Sequence, residues 1–211
     1  MTIVAVLNEK GGVGKTTIAT HLARGFQRAG ETAILIDSDP QGSARDWYAA
    51  AGEDNPLPPV VGMDRSPLFK NLKSVVQGFQ WVIIDGSPGI EELAVAALKV
   101  ADRVLIPVQP SPYDIWAAES LVELVKTRQD ITDGKLKAAF VVSRQIVGTK
   151  LASEIRAALE GYGLPIFRAF TSQRVIYANS AAQGATVLDA EPQGVAAEEI
   201  RALVEEVRAW R

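Results

Sequence analysis

Residues 8–17 read Asn8-Glu9-Lys10-Gly11-Gly12-Val13-Gly14-Lys15-Thr16-Thr17, directly after the apolar run Ile3 to Leu7. A strand, a glycine-rich turn and a helix start in that order build an anion site, because loop N–H groups and the positive end of the helix converge on one point. Glycines let the main chain approach closely and take positive φ. Lys15 brings a point charge to the β- and γ-phosphates of a nucleotide, and the Thr16 hydroxyl is placed to hold Mg²⁺. The usual loop carries glycine five residues before Gly14, where this chain has Glu9, and a second lysine, Lys10, heads Lys-Gly-Gly-Val-Gly-Lys-Thr-Thr instead. A cation on that outer lip is expected to reach a phosphate held by a second subunit, as an arginine finger does.

Three acids fall at the ends of apolar runs. Asp37 and Asp39 follow the second run in Ile-Asp-Ser-Asp-Pro-Gln, and Asp85 closes a later one in Val-Ile-Ile-Asp. An apolar strand ending in Asp, in a chain with a phosphate loop, is the arrangement that holds Mg²⁺ directly or through its retained water. The spacing of Asp37 and Asp39 suits two tasks at one strand end, one carboxylate securing the metal shell and the other orienting the attacking water. Aspartates are also common in turns and N-caps; three of them in register with Gly-Lys-Thr favour the metal reading.

These side chains need a scaffold, and the hydrophobic pattern supplies one. Strands are predicted over 3–7, 32–36, 60–63, 81–84, 104–108, 138–142 and 166–169. Helices are predicted over 16–29, 43–51, 66–77, 91–100, 114–128, 150–160, 174–182 and 196–210, with Asp114 as an N-cap. Residues 52–59 are rich in Gly, Pro and acids and read as loop. Alternating β and α elements predict an α/β fold, a doubly wound, mostly parallel sheet flanked by helices, with residues 1–211 as a single domain. Ligands of such sheets bind beyond the carboxyl ends of the strands, where all the residues above fall.

Composition narrows the chemistry. The 211 residues are 47% apolar and 22% charged, as in an ordinary globular protein, with net charge −3. A wholly basic nucleic-acid binder is therefore excluded, and any such surface must be a local patch. There is no cysteine, which removes disulfides, thiolate zinc and iron–sulfur ligation by the chain's own thiolates. His21 is the only histidine and falls in the first helix, so it reads as a packed or surface residue rather than a catalytic base. No apolar run suits a membrane span, and the chain enters a strand at once; a cytoplasmic location is expected.

Taken together, Lys-Gly-Gly-Val-Gly-Lys-Thr-Thr, Asp-Ser-Asp-Pro-Gln-Gly, the strand ending in Asp-Gly-Ser-Pro-Gly, and Pro-Val-Gln-Pro-Ser-Pro-Tyr-Asp resemble the ParA/MinD family of deviant-Walker P-loop ATPases. The resemblance runs through nearly the whole chain and is nearest to short ParA-type partition and positioning ATPases. It implies an ATP-sandwich homodimer that hydrolyses ATP slowly, with Mg²⁺, until an adaptor protein accelerates it. By motif, Lys10 is the lysine that crosses to the partner's nucleotide, and Gly11, Gly12, Val13, Gly14, Lys15, Thr16 and Thr17 wrap the phosphates. Thr16 is the Mg²⁺ ligand, Asp39 positions the hydrolytic water at the metal site, and Asp85 is the Walker B acid. The Pro110–Tyr113 turn lies near the nucleotide and the dimer face, and Arg144 borders the adenine.

The family also implies binding to DNA without sequence preference, through phosphate contacts that would make the ATP state nucleoid-associated. Candidate cations are Lys126, Arg128, Lys150, Arg156, Arg168 and Arg174. Leu188 to Glu199 contains no basic residue and carries Asp189, Glu191, Glu198 and Glu199, so a patch must assemble elsewhere. A MinD-like protein would need an amphipathic membrane helix at the end of the chain. There Ile200, Leu203, Val204, Val207 and Trp210 form a stripe opposite Glu198, Glu199, Glu205 and Glu206, and those acids favour core packing over a lipid surface. A small-molecule ligase of dethiobiotin-synthetase type and a nucleotide-binding scaffold with negligible turnover also remain open. The cargo, whether plasmid, chromosome or protein organelle, leaves no motif.

Overall fold

The computed structural model describes residues 1–52, 56–89, 91–148 and 150–210, with 150–153 described by their backbone alone. These residues build one six-stranded, all-parallel sheet in the order β3-β2-β4-β1-β5-β6. The strands are β1 (Thr2–Val6), β2 (Ala33–Asp37), β3 (Val60–Gly62), β4 (Trp81–Asp85), β5 (Arg103–Val108) and β6 (Lys137–Val142). The helices are α1 (Lys15–Arg28), α2 (Ser43–Ala49), α3 (Leu72–Val75), α4 (Glu91–Val100), α5 (Pro112–Trp116), α6 (Glu119–Ile131), α7 (Lys150–Glu160), α8 (Val175–Ala182), α9 (Val187–Ala190) and α10 (Val195–Ala209).

The strands are continuous apolar runs because helices cover both faces of the sheet. Ile3, Ala5, Ile34, Ile36, Val82, Ile84 and Ile106 point to the α4/α6 side, and Val4, Val6, Leu35, Ile83 and Leu105 to the α1/α10 side. Register matters more than coverage here. Asp37 of β2 lies beside Asp85 of β4, and Asp85 beside Val6 of β1. Two acids and the start of the glycine loop therefore share one edge of the sheet. The stripe on α10 is buried at Ile200, Leu203, Val204 and Val207, packed against α1, while of the acids expected opposite it only Glu198 and Glu205 are exposed. Among the described residues no helix is long and apolar enough to cross a membrane.

Four elements differ from the sequence expectation. Residues 66–77 form a 3-10 turn, Ser66–Asn71, before the short α3, not one helix; only Phe69, Leu72 and Val76 are buried there, too little to sustain a longer one. The helix expected over 114–128 is two helices broken at Ala117–Ala118. Pro112 starts α5 early, at a position that does not need its missing N–H, and Ser111 is the N-cap residue. Asp114 is no cap; its carboxylate meets Lys10 instead. The strand expected over 166–169 is reduced to isolated bridges, Phe140 to Ile166 and Gln145 to Ser172. Between them the N–H groups of Arg168 and Ala169 donate to the Glu206 carboxylate of α10, not to β6. Finally, α9 has no counterpart in the sequence expectation. A capping box made by Thr186 and Asp189 starts it. Part of the loop read at 52–59, residues 53–55, lies outside the described residues.

Candidate active site

The loop after β1 is built around two left-handed glycines, Gly12 at φ 78° and Gly14 at φ 92°, with Gly14 preceding the first residue of α1. Side chains pin it from three sides. Asn8 is buried and donates to the Pro107 carbonyl at 2.7 Å, while its Oδ1 accepts the Lys10 N–H at 2.9 Å. Gln109 donates to the Gly12 carbonyl and Ser143 to the Val13 carbonyl, at 2.7 and 2.6 Å. With their carbonyls turned to these partners, the loop is held rigidly before any ligand arrives. Lys15 is buried and donates to the Lys10 carbonyl at 2.8 Å. Burial pushes its ammonium pKa down, while the charges of Asp85 and Asp39 pull it back up.

The three acids take three different roles. Asp37 is fully buried and fully used: one oxygen accepts the Asp39 N–H, the other the Arg45 N–H and Nε. It shapes the turn and the start of α2, and both of its oxygens are already engaged within the chain. Asp39 is half-buried and lines a cleft of about 220 Å³ with Gly11, Gly12, Gly14, Lys15 and Thr16. Asp85 is fully buried, and neither carboxylate oxygen has a hydrogen-bond partner among the described residues. Burial raises its pKa from 3.8 to about 7, helped by the charge of Asp37 and opposed by the nearby Thr16 hydroxyl and Lys15. Two buried oxygens without partners, close to a hydroxyl at the head of a phosphate loop, fit a hard dication that takes oxygen ligands.

Lys10 is partly exposed. Its Nζ pairs with Asp114 of α5 at 3.0 Å. That aspartate is buried, and its other oxygen has no hydrogen-bond partner among the described residues. Beside it Tyr113 and Trp116 are exposed and meet edge to face at 5.5 Å. Pro110 lines neither cleft of the site; the neighbouring Gln109 is the residue of that turn that touches the loop.

A second cleft, about 210 Å³, opens beside the first and shares Gly14, Thr17 and Arg144 with it. Arg144 is exposed and holds φ 52°, a left-handed backbone that costs a non-glycine residue energy. The rest of the lining is Ser143, the strap Thr171–Arg174, and Tyr177, Ala178 and Ala181 of α8. Sequence reasoning found only Arg144 here. The strap and α8 carry no motif, and they reach the loop only through the fold. Burial, with the charge of Glu199, raises the Tyr177 phenol above its ordinary value, so it stays a hydrogen-bond donor. His21 lies beneath, buried and held between the Thr17 carbonyl and the Val187 N–H.

The candidate DNA cations are dispersed. Arg128 donates to the Lys99 carbonyl, Arg156 to the carbonyls of Phe167 and Arg168, and Arg174 pairs with Glu199. Lys126 and Arg168 are exposed. The Lys150 side chain lies outside the described residues.

Known proteins resemble this chain in sequence and in fold. Residues 4–187 match the family described as the CobQ/CobB/MinD/ParA nucleotide binding domain. The maintenance of carboxysome distribution protein A of Halothiobacillus neapolitanus is 32% identical over 97% of this chain and 95% of its own length. The chromosome-partitioning ATPase Soj of Thermus thermophilus is 29% identical over 98% of this chain and 95% of its own length. Among solved structures, an ATP complex of a Cyanothece McdA variant superposes with a TM-score of 0.76 at 18% identity, covering 99% of this chain and 95% of that one.

Proposed function

The chain belongs to the CobQ/CobB/MinD/ParA nucleotide-binding family, and from that premise we propose that it is an ATP-dependent switch that dimerises and positions or segregates a cargo. It is a partition or positioning ATPase of the ParA/McdA type. The observation that carries the reading is the pairing of a two-lysine phosphate loop with the buried, unpartnered Asp85 carboxylate next to Thr16.

In this reading the loop N–H groups from Gly11 to Thr17 and the Lys15 ammonium hold the phosphates of ATP, and Asp39 orients the attacking water. Thr16 and Asp85, with Asp39 nearby, hold Mg²⁺, which neutralises phosphate charge when bound. Phosphoryl transfer needs positioning and charge more than a strong base, and the described site has no histidine facing it. Lys10 leaves Asp114 to reach the γ-phosphate in a second copy, so the dimer lasts as long as ATP does. Slow intrinsic hydrolysis, accelerated by an adaptor, then times a cytoplasmic, nucleoid-bound state.

The test is binding to non-specific duplex DNA at near-physiological salt, with ATP, with ADP and without nucleotide, with the oligomeric state read in parallel. An ATP-dependent dimer that binds DNA is expected. Lys10→Gln should still bind ATP yet lose the turnover that rises with protein concentration. A dimer that ignores DNA would remove the nucleoid part of the proposal, and unchanged turnover in Lys10→Gln would remove the role in trans.

A further inference from the structure

The four acids of α10 divide into two exposed ones, Glu198 and Glu205, and two that are not, Glu199 and Glu206. Glu199 is largely buried and accepts from the Ser172 N–H at 2.9 Å, the Ser172 hydroxyl at 2.7 Å and the Tyr177 hydroxyl at 3.0 Å, and it pairs with Arg174 at 3.2 Å. Two turns further along, Glu206 accepts the N–H groups of Arg168 and Ala169. Seven helical residues rise about 10 Å, and the three steps from residue 169 to 172 of extended chain cover about the same distance. One face of α10 therefore substitutes for a missing strand partner along the segment that follows β6.

The two glutamates have different consequences. Glu206 holds backbone that lines neither cleft. Every partner of Glu199 lines the second cleft: Ser172 and Arg174 in the strap and Tyr177 on α8. The strap is fixed to the sheet on its other side, where Thr171 donates to Val142 and accepts from Gln145, and its hydroxyl accepts the Arg144 N–H. The phosphate loop closes one end of this cleft through Gly14 and Thr17. In the ATP reading, whatever follows the phosphates of the nucleotide would enter there.

We propose that Glu199 is the positioning residue for the base end of the nucleotide: it sets the strap and Tyr177 at the spacing that receives a purine, and so links the last helix to nucleotide choice. This rests on the ATP reading above. Removing the carboxylate frees the strap from α10 while leaving the phosphate loop, pinned by Asn8, Gln109 and Ser143, as it was. Affinity should fall for a nucleotide and not for its phosphate chain alone.

Calorimetric titration of the full chain with ATP, with GTP and with inorganic tripolyphosphate, each with Mg²⁺, tests this. Glu199→Ala is expected to weaken ATP about tenfold or more, to narrow the preference between ATP and GTP, and to leave tripolyphosphate unchanged. Glu199→Gln, which keeps an acceptor for Ser172 and Tyr177, should recover most of the loss. Glu206→Ala, on the same helix and segment, should lower the melting temperature without moving the ratio of ATP to tripolyphosphate affinity. Should Glu199→Ala fold poorly, Tyr177→Phe removes one hydroxyl from the same network and should shift the ratio in the same direction by less. Equal loss for ATP and tripolyphosphate, no loss for either, or the same change of ratio in Glu206→Ala would overturn the proposal. Wild-type protein that binds tripolyphosphate but not ATP would overturn the ATP reading itself.

Discussion

Asp189 and Asp85 are both aspartates withdrawn from water, and they end in opposite electrostatic states. On the α1/α10 side, Asp189 accepts from Arg24, Arg28, and the Thr186 N–H and hydroxyl. Burial works to raise its pKa, but the bonds from Arg24 and Thr186 outweigh it and hold the carboxyl below its ordinary value. At the carboxyl edge of the sheet, Asp85 has no hydrogen-bond partner among the described residues and its pKa is raised to about 7. A buried charge whose bonds are all made within the chain supports the fold, here by fixing α9 against α1. A buried charge left without bonds costs stability in the free protein, and it is expected where a ligand completes the set.

Three changes would break or sharpen that contrast. The largest effect is expected from Asp85→Asn, which should lower Mg²⁺-dependent ATP turnover by roughly a hundredfold or more while leaving the nucleotide-free protein as stable or more so near pH 8. Turnover assays and thermal melts of the same preparation read both; a variant that loses stability along with activity would make Asp85 structural, like Asp189. Asp189→Ala should do the reverse. It takes the carboxylate away from the buried Arg24 guanidinium, which keeps Gln27 and the Pro56 carbonyl, and undoes the capping box of α9, for a loss of about 3 kcal/mol, with turnover per folded molecule unchanged well below the melting point. Urea titration and single-turnover kinetics would show it, and an activity loss exceeding the unfolded fraction would dissolve the distinction.

The smallest net effect is a pH slope, because two larger contributions oppose each other. Asp85 titrates at about 7 in the folded chain against an ordinary value of 3.8, so the folded state holds the extra proton between those values. Its contribution is full at low pH and is lost as pH rises through about 7, on the order of 4 kcal/mol. For His21 burial lowers the value from 6.5 to about 4, against the Thr17 carbonyl and the Asp189 charge, which raise it. Here the unfolded chain holds the extra proton, so stability is full above pH 6.5 and falls by roughly 3 kcal/mol as pH drops to 4. The two slopes oppose each other between pH 4 and 6.5. Without nucleotide and Mg²⁺, the wild type should be nearly flat across that window, and Asp85→Asn should gain stability as pH rises. Equal profiles for both proteins would show that Asp85 is not strained.

The legible parts of this molecule are contiguous. The phosphate loop needs ten neighbouring residues, and each apolar strand ending in an acid is a local pattern, so both are readable from their order alone. Helix α4 and helix α7 have the bounds that their periodicity predicts. The split of α5 from α6 is less legible, because a hydrophobic period runs through Ala117 and Ala118 and the break depends on Pro112 and on what Asp114 meets. The strand expected at 166–169 fails for a similar reason. Its residues suit a strand, but α10 offers carboxylates to its N–H groups where β6 does not.

Sequence by itself determined the α/β alternation, the glycine-rich loop that carries Lys10 and Lys15, the placing of Asp39 and Asp85 at or just after strand ends, and the family, because each is encoded over short stretches of adjacent residues. Tertiary structure alone decided that Asp37 is spent on Arg45 and the turn, that Lys10 rests on Asp114, and that Glu199 reaches the strap beside the phosphate loop. Those partners are far apart along the chain or turn on which side chain reaches a buried carboxylate first. Strand register and helix packing set that, and no local spacing encodes it.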